Sequence, residues 1–268
     1  MDNAAIGFFD SGWGGLSIMK AAREVLPHED FVYIADCGHA PYGDQSHEFI
    51  VERARAITDF LIHKQRVKAI VIACNTATAE AANKLRALYP NFPIIGVEPA
   101  IKPAVEQSQT KVVGMISTTR TATSVRYQEL LARWAGPVQV ISTGCPGLME
   151  CVERGELDTP DTLALLHHYL DPMIAARIDG LVLGCTHYPF LADTIDSITQ
   201  GKIRLYEPGL AVARHLQNRL ASLDALTTKK TSGEEIFYVS NLTEARKAVA
   251  EHLMPGISHF NALPEETA

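Results

Sequence analysis

Short apolar runs rich in branched residues recur along this chain, each followed by a loop and then by a longer stretch with helical spacing. The clearest are AIGFF (5–9), FVYIA (31–35), AIVIA (69–73), PIIGV (93–97), KVVGMI (111–116), VQVIS (138–142), GLVLG (180–184) and KIRLY (202–206). Between them, residues 47–64 carry Phe49, Ile50, Ile57, Phe60 and Leu61 near a 3.6-residue period, with Ser46 placed as an N-cap. Residues 160–177 open with Thr159-Pro160-Asp161, a capping residue followed by proline at the first helical position. Near-continuous apolar strands are the pattern of strands covered on both faces. Their alternation with helices predicts βαβ units and mostly parallel sheets.

Four landmarks recur in one order at nearly one spacing. I6-G-F-F-D-S11 resembles V113-G-M-I-S-T118 at an offset of 107, and the run at 31–35 precedes that at 138–142 by 107. Cys74 and Cys185 each close an apolar strand, at an offset of 111, and Glu98-Pro99 and Glu207-Pro208 each follow one, at an offset of 109. The ordered set predicts two similar, pseudo-symmetric three-layer α/β domains with a site between them. The first takes residues 1–97 and 208–268, and the second takes 98–207. The tail adds two helices and the strand EIFYV (235–239), which packs back onto the first domain.

Bulk properties narrow the function. The chain has 268 residues and a net charge of −7, with 24 basic against 31 acidic residues and no basic block beyond Lys229-Lys230. A nucleic-acid partner is therefore not expected. No apolar run approaches a bilayer-spanning length, and MDNAAIGFFD lacks the basic and apolar regions of a signal peptide. The expectation is a cytoplasmic protein with no membrane partner. The five cysteines (Cys37, Cys74, Cys145, Cys151, Cys185) are odd in number and contain no C-x-x-C pair, which argues against a disulfide framework and against structural zinc.

In parallel α/β sheets, ligands bind beyond the carboxyl ends of strands. Five segments fall there: D10-S-G-W-G-G15, D36-C-G-H-A-P-Y-G43, C74-N-T76, S117-T-T-R-T121 and C185-T-H187. The glycine-rich D10 segment suits either a tight turn with Asp10 or Ser11 as cap, or close backbone approach to an anion. The S117 segment suits either helix capping or a carboxylate cradle, and Pro41-Tyr42-Gly43 reads as a turn. A single buried cysteine is ordinarily a small apolar filler. Cys74 and Cys185, however, close matching strands of a repeat among polar neighbours, so that two facing halves would bring both sulfurs to one cleft. Opposed thiols suit inversion at a carbon bearing an acidic hydrogen: one thiolate removes the proton and the other thiol returns one from the opposite face. A free thiol titrates near 8.5, so each sulfur needs help, and Asp10 and His187 are the candidate helpers.

These motifs resemble those of the cofactor-independent glutamate racemases, in the aspartate/glutamate racemase family. The resemblance rests on GFFDSGWGG (7–15), PYG (41–43), ACNTATA (73–79), GVEPAIKPA (96–104), CPGLMECVERG (145–155), LGCTHYP (183–189) and the EPG of 207–209, across about the first 210 residues. It implies interconversion of L- and D-glutamate by Cys74 and Cys185, without cofactor or metal, supplying D-glutamate for peptidoglycan and hence cell shape. Asp10 would assist Cys74, His187 would assist Cys185, and Glu153 would take part. Substrate contacts would fall on Ser11, Tyr42, Gly43, Asn75, Thr76, Thr118, Thr121 and Thr186. A homodimer is implied. Two positions depart from the family pattern: Met149-Glu150-Cys151 replaces an apolar-Pro-Leu run, and Trp13 stands where a smaller aliphatic residue is usual. The alternatives are a racemase for aspartate or another amino acid, and a non-catalytic small-anion-binding protein on the same fold.

Overall fold

The computed structural model of the chain describes residues 3–264 and residue 267. In chain order it runs β1 (Ile6–Asp10), α1 (Leu16–Val25), β2 (Phe31–Ala35), α2 (His47–Asp59), β3 (Ala69–Ile72), α3 (Asn75–Leu88), β4 (Ile94–Gly96), α4 (Ile101–Gln107), β5 (Val112–Ser117), α5 (Thr119–Thr123), α6 (Val125–Trp134) and β6 (Gln139–Gly144). It continues with α7 (Leu148–Glu153), α8 (Pro160–Ala175), β7 (Gly180–Leu183), α9 (Ala192–Thr199), β8 (Arg204–Tyr206), α10 (Gly209–Ser222), β9 (Glu235–Val239), α11 (Glu244–Leu253) and β10 (Phe260–Ala262). The strands form two sheets, one ordered β10-β9-β2-β1-β3-β4 and the other β6-β5-β7-β8, and every pairing is parallel.

The repeat seen in the sequence is a repeat of topology. β2-β1-β3-β4 in one sheet corresponds to β6-β5-β7-β8 in the other. Ile6 pairs with Ala69, and Val113 pairs with Gly180, which keeps offsets of 107 and 111 in the ladders. In this strand order the connection reverses direction beside β1 and beside β5. The crevice at each reversal opens at the carboxyl ends of β1 and β3, and of β5 and β7.

Both faces of the central strands are buried, while the edge strands β6 and β10 are partly exposed, against the sequence expectation for the run at 138–142. Along the central strands the side-chain period of two sorts residues between the faces. Ile6, Phe8, Tyr33, Val71 and Phe237 pack on the side of α1 and α10, while Phe9, Ile34, Ile70 and Ile72 pack on the side of α2 and α3. In the smaller sheet, Val113, Met115 and Val182 face α4 and α6, whereas Ile116, Leu181 and Leu183 join the first cluster and make one core continuous across the two halves. The chain passes between the halves twice, after β4 and after β8, at the two Glu-Pro steps.

The structure moves several expected boundaries. β1, β5 and β6 begin one residue later than their apolar runs, and β3 and β7 stop one residue sooner, although the Ala73 and Gly184 N–H groups still donate to Phe9 and Ile116 of the neighbouring strands. The helix expected over 47–64 is α-helical only to Asp59 and ends in a π turn over Phe60–Lys64. The tail holds a second strand, β10, which pairs with β9, and β9 in turn pairs with β2. Its three residues carry too short a signal to be read as a strand.

Candidate active site

At the end of β1 the Asp10 carboxylate accepts the Gly15 N–H at 2.6 Å, folding the D-S-G-W-G-G loop back on itself just before α1. Asp10 thus closes the expected tight turn without capping α1, whose N-cap is Gly15, and its side chain also lines a cavity. Cys74 is the N-cap of α3, its sulfur accepting the Ala77 N–H at 3.4 Å. Cys185, Thr186 and His187 follow β7 and lead into a 3-10 turn over Tyr188–Leu191. Thr118, after β5, caps α5 through its hydroxyl, which accepts the Thr121 N–H at 3.2 Å.

These loops enclose one cavity of about 20 Å³, room for roughly one water molecule. Both sulfurs, Asp10, His187 and all eight expected contact residues line it, together with Pro41 and Met149. Cys74 comes from the half with the six-stranded sheet and Cys185 from the half with the four-stranded sheet. Glu153 stands one step behind the wall, its carboxylate 2.7 Å from His187 Nε2, and it also accepts the Trp13 N–H at 2.6 Å.

Each sulfur has a different proton partner. Asp10 is fully buried, and burial raises its carboxyl above the ordinary value despite the neighbouring His187 and the Gly15 and Cys74 hydrogen bonds. Burial, then the Asp10 charge, push the Cys74 thiol well up, outweighing the Ala77 N–H that favours the thiolate. Cys74 is therefore a thiol in the closed site. On the other side, His187 Nδ1 lies 3.6 Å from the Cys185 sulfur. Burial works against a charged ring there, but hydrogen bonds with Cys185 and Glu153 hold His187 well above the ordinary imidazole value. Nε2 has a partner for either charge state. Protonated, it donates to Glu153; neutral, it accepts the Gly14 N–H at 3.1 Å.

Polar groups fill the rest of the wall. The hydroxyls of Thr76, Thr118 and Thr121 lie 3.0–3.3 Å apart in a cluster that crosses between the halves. Asn75 is buried, and both of its amide atoms are without a hydrogen-bond partner among the described residues. Unpaired buried amide groups are costly, and a polar ligand in the cavity would satisfy them. No group of three or more His, Cys, Asp or Glu is placed to hold a metal ion among the described residues.

Sequence reasoning missed the support behind Tyr42. Its hydroxyl donates to Asp36 at 2.6 Å, and Asp36 accepts from Arg53 Nη2 at 2.7 Å and Nε at 3.0 Å. Burial alone would raise the Asp36 carboxyl, but the Arg53 guanidinium holds it below the ordinary value. The sequence signal was an arginine set in the apolar stripe of α2, between Ile50 and Ile57. The PYG turn is thus a braced wall of the cavity. Trp13, the larger residue at its position, points away from the cavity. It stacks on Tyr33 at 6.4 Å and meets Phe260 of β10 edge-on at 6.1 Å.

A family model described as Asp/Glu/Hydantoin racemase matches residues 16–216. The chain is 45% identical to a glutamate racemase of Pseudomonas syringae pv. tomato, over 90% of this chain and 87% of that protein. It is 44% identical to a glutamate racemase of Methylococcus capsulatus, over 97% of this chain and 95% of that protein. Among solved structures it is similar to glutamate racemase from Francisella tularensis in complex with D-glutamate. The TM-score is 0.85, at 32% identity over 98% of each chain.

Proposed function

The chain belongs to the Asp/Glu/Hydantoin racemase family, and we propose that it interconverts L- and D-glutamate by proton transfer between two cysteines. The observation that carries this reading is the convergence of Cys74 and Cys185, from opposite halves, on one cavity, each with its own proton-handling neighbour. In one direction Cys74, its proton passed towards Asp10, takes the α-hydrogen while Cys185 delivers a proton to the other face. In the reverse direction Cys185 is the base, and His187 with Glu153 receives its proton. Neither step calls on a group beyond the chain's own side chains.

The substrate's two carboxylates and its amine require a polar wall. Asn75, the Thr76–Thr118–Thr121 hydroxyls, Ser11, Thr186 and the Tyr42-Gly43 turn supply donors and acceptors, and the N-terminus of α3 favours an anion. This protein would serve the supply of D-glutamate for peptidoglycan and so cell shape. It would work in the cytoplasm as a homodimer, with residues 1–97 and 208–268 as one domain and 98–207 as the other. No helix among the described residues is long and apolar enough to cross a membrane.

The test is incubation of L-glutamate, and separately L-aspartate, with the protein in deuterated water without added cofactor. The expected result is D-glutamate carrying deuterium at the α-carbon, while the remaining L-glutamate stays unlabelled early in the reaction. Single-base return of the original hydrogen, or faster turnover of aspartate, would defeat the reading.

A further inference from the structure

Arg120 belongs to the S117-T-T-R-T121 segment, yet it is not in the cavity wall. Its neighbours Thr118 and Thr121 face the cavity, while its own side chain leaves α5 for the other half of the molecule. There Nε donates to the Gly43 carbonyl at 3.4 Å, Nη2 donates to the Gln45 carbonyl, and Nη1 lies 3.6 Å from Glu80 of α3. All three partners lie in the half carrying the six-stranded sheet. Two of them sit on the turn whose Tyr42 and Gly43 form part of the cavity wall. Glu80 is itself held, with His47 Nδ1 at 2.5 Å and Lys84 bonded in turn to His47 Nε2. Arg120 is less than one-third exposed, so these contacts are only partly screened by water.

We propose that Arg120 is a positioning residue that pins the Pro41–Gln45 turn of one half against Thr118 and Thr121 of the other, favouring closure of the cavity walls around the substrate. The planar fork suits the task, because two donors in fixed relation reach two carbonyls while the third nitrogen faces a carboxylate. A lysine would keep the charge facing Glu80 but could not span both carbonyls. The two halves meet closely at this point, since a Cβ built on Gly43 would lie 3.3 Å from Thr118 Cβ. If the closed form is the competent one, weakening the pin lowers its population. Apparent affinity for substrate then falls in proportion, while the chemistry within the closed complex is kept. This inference rests on the racemase reading for its kinetic arm, but not for its structural one.

The experiment compares Arg120→Ala and Arg120→Lys with the unaltered protein by amide hydrogen exchange over residues 41–46 and by steady-state kinetics with glutamate. In Arg120→Ala, exchange in that turn accelerates while exchange in β1, β3, β5 and β7 stays unchanged. KM rises about tenfold with kcat within about threefold, and Arg120→Lys falls between. Should the alanine variant fail to fold, the lysine variant alone carries the comparison. Unchanged exchange over 41–46, or a fall in kcat with KM unmoved, would overturn the proposal. If the unaltered protein does not racemise glutamate, the functional reading fails, and the exchange measurement still decides the role of Arg120.

Discussion

Asp10 does two jobs with one carboxylate, and they can be separated. One oxygen closes the loop on the Gly15 N–H, and the group as a whole raises the Cys74 thiol and can take its proton. Asp10→Asn keeps an oxygen for Gly15 but removes the proton acceptor. The melting temperature is therefore expected to hold, while kcat/KM falls by about 10²–10⁴. L- and D-glutamate are mirror images, so their equilibrium constant is one, and the ratio of kcat/KM between directions is fixed at one in any variant. The loss must be the same from either enantiomer, with kcat and KM free to differ between them. Progress curves followed by circular dichroism from both sides check this, and unequal losses would mean that the product is not the mirror image. At this scale the side chains that converge on the cavity were legible, because thiols closing paired strands are rare and polar neighbours are unusual beside a filler cysteine. Asp36, Arg53 and Arg120 were not. Their meaning lies in partners that only the folded chain brings near.

The D-S-G-W-G-G loop shows what an element adds to its residues. Gly12 and Gly14 are there for space. A Cβ on Gly14 would sit 2.2 Å from His187 Nδ1, and one on Gly12 would sit 2.1 Å from a Glu153 carboxylate oxygen. The loop is packed directly against His187 and Glu153 of the opposite half, the proposed proton relay, with the two glycines leaving room for them. Gly14→Ala must displace the imidazole that faces Cys185, so we expect kcat/KM to fall at least about 10²-fold with folding kept. Gly12→Ala should cost less, because it strikes Glu153, which does not touch the cavity. Kinetics alongside thermal denaturation distinguish this from general damage, and a Gly14→Ala protein with full activity would show the relay to be dispensable. Sequence alone suggested glycine for tight turning or close approach of an anion. The close approach is real, but it is to the protein's own side chains. Trp13 could not be placed from the sequence either, since Phe260 lies in a strand too short to announce itself.

At the scale of the whole molecule, the repeat in the letters foretold the correspondence of β2-β1-β3-β4 with β6-β5-β7-β8, because a parallel strand order is conserved when a βαβ pattern is duplicated. It could not foretell how tightly the two halves meet, which depends on side chains crossing between them. A cavity of about 20 Å³ holds a water molecule and no amino acid. The cavity walls must therefore move apart to admit glutamate. We expect the two halves to separate and then to close on the substrate around a larger volume than the empty site has, which also excludes water from the proton transfers. A covalent tie across the cleft tests this. The Cβ built on Gly43 lies within a few tenths of an ångström of the separation a disulfide needs to Thr118 Cβ. The double variant Gly43→Cys, Thr118→Cys replaces two cavity-wall residues, so it must be compared with its own reduced form. Oxidation, with the pairing verified by peptide mapping, is expected to abolish turnover, and reduction is expected to return it to the reduced variant's level. Turnover that persists in the oxidised form would mean that substrate reaches the sulfurs without separation of the halves, and the closed cavity would then have to open through a loop within one of them.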